Sequence, residues 1–97
     1  MVYNIVIKDA VYGDGVALSI MRGDAVVGVL FDGNVTVEID QGALLQNCVV
    51  KGNLHVKARG CRSDVGKAKV EWCHVTGGLT YEGCVSFEYC RIDNKRE

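Results

Sequence analysis

Apolar residues recur at alternate places along this chain, in short runs broken by glycine, asparagine and aspartate. Val16 and Leu18, Val35 and Val37, Leu54 and Val56, and Leu79 and Tyr81 are each two positions apart. Alternation with period two is strand geometry, because successive side chains of a strand face opposite ways. The runs also repeat one another. Residues 10–18, 29–37 and 48–56 fall into register at an interval of 19 residues, and two weaker copies, 73–81 and 90–94, follow at steps of 25 and 17.

Aligned on that interval, the chain reads as columns. Three places before the anchor stand Ile7, Val26, Leu45, Val70 and Phe87. The anchor itself holds Ala10, Val29, Cys48, Cys73 and Cys90, and two places later come Tyr12, Phe31, Val50, Val75 and Ile92. A turn pair follows in each copy, Asp14-Gly15, Gly33-Asn34, Gly52-Asn53 and Gly77-Gly78, built from residues for which positive φ is cheap. A fixed repeat near twenty residues, each unit with short strands and a bend, predicts a solenoid in which no unit buries its apolar face alone. The fold expected is all-β: one parallel β-helix, or β-solenoid, of about five turns over residues 1–97. Cys48, Cys73 and Cys90 then form one inward ladder.

An antiparallel β-meander or barrel is the alternative, since Arg22-Gly23-Asp24, Asp32-Gly33, Lys51-Gly52 and Thr76-Gly77-Gly78 each suit a hairpin turn. Hairpins account for the glycines. They do not account for residues on both sides of every turn recurring in the same order at a constant interval.

Within the solenoid, residues 1–9 form an N-terminal cap strand that starts the stack. The 25-residue step places an inserted loop at 59–66, Arg59-Gly60-Cys61-Arg62-Ser63-Asp64-Val65-Gly66, and residues 93–97 make a charged end. Ninety-seven residues make one domain, whose stability depends on stacking, and the absence of proline suits strands with few interruptions.

The segments Gln46 to Asn53, Trp72 to Gly78 and Tyr89 to Asn94 resemble the repeat of right-handed parallel β-helix proteins. The stretch from Gly33-Asn34-Val35 through Gly42-Ala43 to Gly52-Asn53-Leu54 is similar, more weakly, to the bactofilins, cytoskeletal β-helices that polymerise end to end. The resemblance implies the architecture and, for bactofilins, self-assembly. It carries over no catalytic residues.

Five cysteines without a secretory context argue against a disulfide framework, and Cys48, Cys73 and Cys90 read as small apolar core residues. Cys61 differs. It lies between Arg59 and Arg62, whose charge favours thiolate, making it the candidate reactive thiol. No apolar run reaches the length of a membrane helix, and Met1-Val2-Tyr3-Asn4 opens neither a signal nor a transit peptide pattern, so the expectation is a cytoplasmic protein without a membrane partner.

Candidate motifs are weak. Five residues separate Gly60 from Gly66, Ala68 follows Lys67 where a hydroxyl is required, and strand pattern follows instead of a helix, so this is no phosphate-binding loop. Cys61, Cys73, His74, Cys84 and Cys90 lack the close pairs of a zinc site, and adjacent Cys73 and His74 face opposite ways. His55 and His74 occupy different columns, and Ser19, Ser63 and Ser86 show no nucleophile setting, so no enzyme, metal or cofactor is expected.

The net charge of −1 conceals an asymmetry. Residues 51–69 carry six basic groups against Asp64 alone. Lys57, Arg59, Arg62, Lys67 and Lys69, with His55 among them and Trp72 just beyond, form the candidate partner-binding set. The function expected is a non-catalytic protein–protein interaction module that binds through this basic loop face. Compact inhibitors and adaptors, including those phages make against host machinery, share the profile. The alternatives are a bactofilin-like self-assembling scaffold, with homo-oligomers joined by edges or ends, and nucleic-acid binding through the basic band.

Overall fold

The structure is a computed structural model that describes residues 5–59 and 68–93. Three short strands make each coil. The first coil is β1 (Ile5–Lys8), β2 (Val11–Tyr12) and β3 (Val16–Ile20), and the second β4 (Asp24–Val27), β5 (Leu30–Phe31) and β6 (Val35–Asp40). The third is β7 (Leu44–Gln46), β8 (Val49–Val50) and β9 (Leu54–Arg59), and the fourth β10 (Ala68–Glu71), β11 (His74–Val75) and β12 (Leu79–Glu82). Two strands of a fifth coil follow, β13 (Val85–Glu88) and β14 (Arg91–Ile92). Among the described residues that makes four complete coils and part of a fifth, close to the about five expected.

Each coil gives one strand to each of three sheets. Sheet A runs β1-β4-β7-β10-β13, sheet B β2-β5-β8-β11-β14, and sheet C β3-β6-β9-β12. Every pairing is parallel, which removes the meander and barrel. The register reproduces the sequence intervals. Val16 pairs with Val35 and Val35 with Leu54, a step of 19; Leu54 pairs with Leu79, a step of 25; and Val70 pairs with Phe87, a step of 17.

The columns are the core. Val26, Leu45 and Val70 stack inside sheet A, Phe31, Val50 and Val75 inside sheet B, and Val37 and Val56 inside sheet C, all at most 1% exposed. Full burial of one such side chain is worth about 1.5–3 kcal/mol, so several per coil hold a stack that no single coil could stabilise. At the first and last coils Ile7, Tyr12, Leu18, Phe87 and Ile92 are only partly buried, because each has a neighbour on one side.

Corners are made in three ways. Between sheets A and B each coil has one residue of positive φ: Asp9 (52°), Gly28 (68°), Asn47 (53°), Trp72 (55°) and Tyr89 (56°). Between sheets B and C the turn pairs stack. The Asn34 N–H donates to Asp14 Oδ1 at 2.7 Å, the Asn53 N–H to Asn34 Oδ1 at 2.9 Å, and the Gly78 N–H to Asn53 Oδ1 at 2.8 Å. Side-chain oxygens thus satisfy backbone donors that the corner takes out of the sheet ladder.

These two corners keep constant length from coil to coil. The corner between sheets C and A does not: β3 to β4 and β6 to β7 are separated by three residues, β9 to β10 by eight, and β12 to β13 by two. All departures from the 19-residue interval fall at this one corner. Residues 60–66 of the loop expected at 59–66 lie outside the described residues, as do 1–4, 67 and 94–97. β1 stands as the outermost rung of sheet A.

Candidate interaction surface

The solenoid divides the predicted partner-binding residues among different walls. His55, Lys57 and Arg59 alternate with inward Leu54, Val56 and Ala58 on β9 and so face outward from sheet C. Lys69 faces outward from sheet A, and Trp72 occupies the corner between sheets A and B. Arg62, Lys67 and the candidate thiol Cys61 lie outside the described residues.

Stacking also gives the basic coil acidic neighbours. In register, Lys57 lies between Glu38 and Glu82, and Arg59 lies over Asp40. Arg59 Nε is 3.3 Å from Glu38 Oε2, and an Arg59 guanidinium N–H donates to Met21 Sδ at 3.3 Å. His55 Nε2 lies 3.0 Å from Glu82 Oε2, and its Nδ1 lies 2.7 Å from Thr80 Oγ1. The positive band of the sequence becomes, on sheet C, a mixed field in which each cation faces a carboxylate of the coil above or below.

The outer face of sheet B carries a second charged group. His74 Nε2 lies 2.9 Å from Asp93 Oδ2, and Arg91 Nε donates to Asp93 Oδ1 at 3.1 Å. His74, and secondarily Arg91, holds the Asp93 carboxyl below the ordinary aspartate range. In a carboxyl NMR titration Asp93 is expected to lose its proton at lower pH than a free aspartate, with the midpoint rising in His74→Ala. An unmoved midpoint would remove the pairing. His55 and His74 project from sheets C and B respectively, each onto its own acid. Among the described residues, no group of three or more His, Cys, Asp or Glu is placed to hold a metal ion.

Two aromatic side chains dominate the corner between sheets A and B. Trp72 and Tyr89 stand one above the other, rings 4.4 Å apart and 15° from parallel, and both are more than half exposed. Their column holds Asp9, Gly28 and Asn47 in earlier coils, the residue types that tolerate the left-handed conformation. For bulky side chains that conformation costs on the order of 1–3 kcal/mol each. Glu71 and Glu88, also in register, immediately precede the pair, and His74 and Arg91 lie just beyond it. Trp72 is in the predicted set and Tyr89 is not. The signal was the column itself, where three turn-forming residues give way to two large aromatics.

The cysteines of the anchor column are free and stack as expected, with Cys48 and Cys73 buried and Cys90 partly so. Cys84 is disulfide-bonded, which corrects the reading against disulfides at that position.

The fold and its three continuous parallel sheets define this chain as a β-solenoid, the architecture implied by the parallel β-helix resemblance. No protein-family model, no curated protein and no solved structure matches it. The resemblance is therefore one of structure alone. Among the described residues no helix is long and apolar enough to cross a membrane.

Proposed function

We propose that this chain is a non-catalytic protein-interaction module of the small inhibitor or adaptor type, whose contact surface centres on Trp72 and Tyr89. The observation that carries the reading is the exposed aromatic stack in backbone conformations that disfavour it. Tryptophan and tyrosine are the residues most enriched where binding energy concentrates. Held on a stacked wall, the two rings lose little conformational entropy on docking. The basic residues Lys57 and Arg59, and His55 beside them, face carboxylates on another wall and serve this reading as rim at most.

The test is affinity capture from the source cell, comparing the natural chain, the Trp72→Ala/Tyr89→Ala double variant and the Arg59→Glu/Lys69→Glu double variant. Truncating such anchors costs about 2 kcal/mol or more, roughly a thirtyfold loss of affinity. The aromatic variant is expected to lose the specific partner while its circular dichroism stays unchanged. Undiminished recovery would overturn the proposed centre. Loss confined to the charge-reversal variant would instead return the contact to the basic residues, and a salt titration with labelled nucleic acid would then distinguish a protein partner from a phosphate backbone.

One observation favours self-assembly as the second reading. Sheet C has four strands where A and B have five, so among the described residues nothing pairs with the outer edge of β12. Tyr81, in the inward column of Leu18, Val37 and Val56, is consequently 58% exposed. An open edge of this kind is a template for another strand. Light scattering across a concentration series separates a monomeric module from an end-to-end scaffold.

A further inference from the structure

Cys48, Cys73 and Cys90 hold the same place in three successive coils, each the first residue after the left-handed corner. On either side of the upper pair the register is fixed, with Glu71 opposite Glu88 and His74 opposite Arg91, so Cys73 lies against Cys90. Their thiols point alike: Cys48 donates to Gln46 O at 3.3 Å, Cys73 to Glu71 O at 3.3 Å and Cys90 to Glu88 O at 3.4 Å. Neighbouring strands run about 4.8 Å apart, inside the Cα separation of roughly 4.4–6.8 Å that a disulfide spans.

Access distinguishes the three. Cys48 and Cys73 are at most 2% exposed, whereas Cys90, in the last coil, is only partly buried. Among the described residues no coil covers Cys90, so a solute reaching the ladder from that side meets Cys90 first, with Cys73 directly behind it. The electrostatics run the same way. Hydrogen bonding from the Cys73 thiol brings the Cys90 thiol down to about 6, against burial and the nearby Glu71 carboxylate. Cys73 itself is held up by hydrogen bonding to Cys48 and Cys90 and by burial. It has one thiol proton for two sulfur neighbours, and the anion is better solvated at Cys90 than at buried Cys48.

We propose that Cys90 is a peroxide-reactive thiol and Cys73 its resolving partner, the two closing into a reversible disulfide between the fourth and fifth coils. The Cys90 thiolate attacks one peroxide oxygen. The O–O bond breaks, sulfur gives up two electrons, and Cys90 becomes a sulfenic acid while the other oxygen leaves as hydroxide or alkoxide. The Cys73 sulfur then attacks the Cys90 sulfur, the S–O bond breaks as S–S forms, and the Cys73 proton departs with the hydroxyl as water. A small dithiol reductant restores both thiols by exchange. The new bond would lie beside Trp72 and Tyr89, whose positions each precede one of its cysteines.

The experiment treats the full-length chain with hydrogen peroxide, alkylates it and digests it with glutamyl endopeptidase and trypsin. Cys73 then lies in residues 72–82, Cys84 in 83–88 and Cys90 in 89–91, so mass spectrometry distinguishes every pairing. The expected result is a 72–82 to 89–91 cross-link lacking two hydrogens, removed by dithiol and accompanied by quenching of Trp72, the chain's one tryptophan. Cys48→Ser retains the link. Cys73→Ser leaves a Cys90 sulfenic acid that dimedone traps. Should these variants fail to fold, the natural chain decides alone: Cys90 remaining alkylatable, a different pairing, or a link equally abundant in urea would overturn the proposal.

Discussion

Gly77→Ala is expected to lower the thermal unfolding midpoint by roughly 10 °C or more, since overpacking typically costs about 1–3 kcal/mol and each kcal/mol shifts so small a domain by about 4–8 °C. Gly13→Ala, by contrast, is expected to leave the midpoint unchanged or slightly raised. A Cβ on Gly77 would lie 2.4 Å from Gly52 O and 2.6 Å from Gly52 C, and a Cβ on Gly52 would lie 2.6 Å from Gly33 C. Asn53 Oδ1 also lies 2.5 Å away, but moving that side chain does not relieve the clash, because the Gly52 main chain is held in place by the Gly77 N–H to Gly52 O hydrogen bond at 2.8 Å. Gly13 precedes the same corner and has nothing within 4 Å of its Cβ position, leaving only the reduced entropy of the unfolded chain to act. Scanning calorimetry on the pair checks the stacking directly. Equal midpoints would mean that the corners of sheets B and C are not in contact.

Phe31→Ala should cost about 3–5 kcal/mol, a third or more of the stability of many domains this size. Phe31 is fully buried and lies at 5.6 Å and 16° against the Tyr12 ring, with Val50 on its other side. Removing it leaves a cavity between coils whose spacing is set by parallel ladders on three sides, so the walls cannot collapse to fill it. Urea denaturation is expected to show a lower midpoint at unchanged slope, as for a two-state loss of packing. Val11→Ala, one position earlier than the Tyr12 rung and 68% exposed, should stay within about 0.5 kcal/mol. Comparable losses in both would contradict the assignment of inward and outward faces.

How far the fold was legible follows from what a repeat encodes. Ile7 to Phe87 and Tyr12 to Ile92 announced their stacking because interior columns must be apolar throughout, and the intervals of 19, 25 and 17 gave the register that the strands adopt. Counted along the chain, the charged surface shows its basic residues but not the acidic neighbours that stacking gives them. Lys57 has Glu38 nineteen residues before it and Glu82 twenty-five after it, so the same interval, applied to polar positions, would have revealed the acidic neighbours. The place of Tyr89 above Trp72 is legible by the same interval, in a column that Asp9, Gly28 and Asn47 mark as a bend. What no interval supplies is the use of Asp14, Asn34 and Asn53 side chains as hydrogen-bond acceptors between coils, since aspartate and asparagine serve turns equally well by local bonding. The cysteine ladder is legible in the sequence, but its gradient of access depends on how each coil is covered.

The variable corner between sheets C and A marks this scaffold's tolerance for foreign sequence. The natural chain has already spliced extra length there and trimmed it one coil later, while the adjoining strands kept their partners. Grafted peptides, epitopes or affinity tags belong at that vertex, between Asp40 and Leu44 or after Glu82, where lengthening draws on a freedom the other two vertices lack.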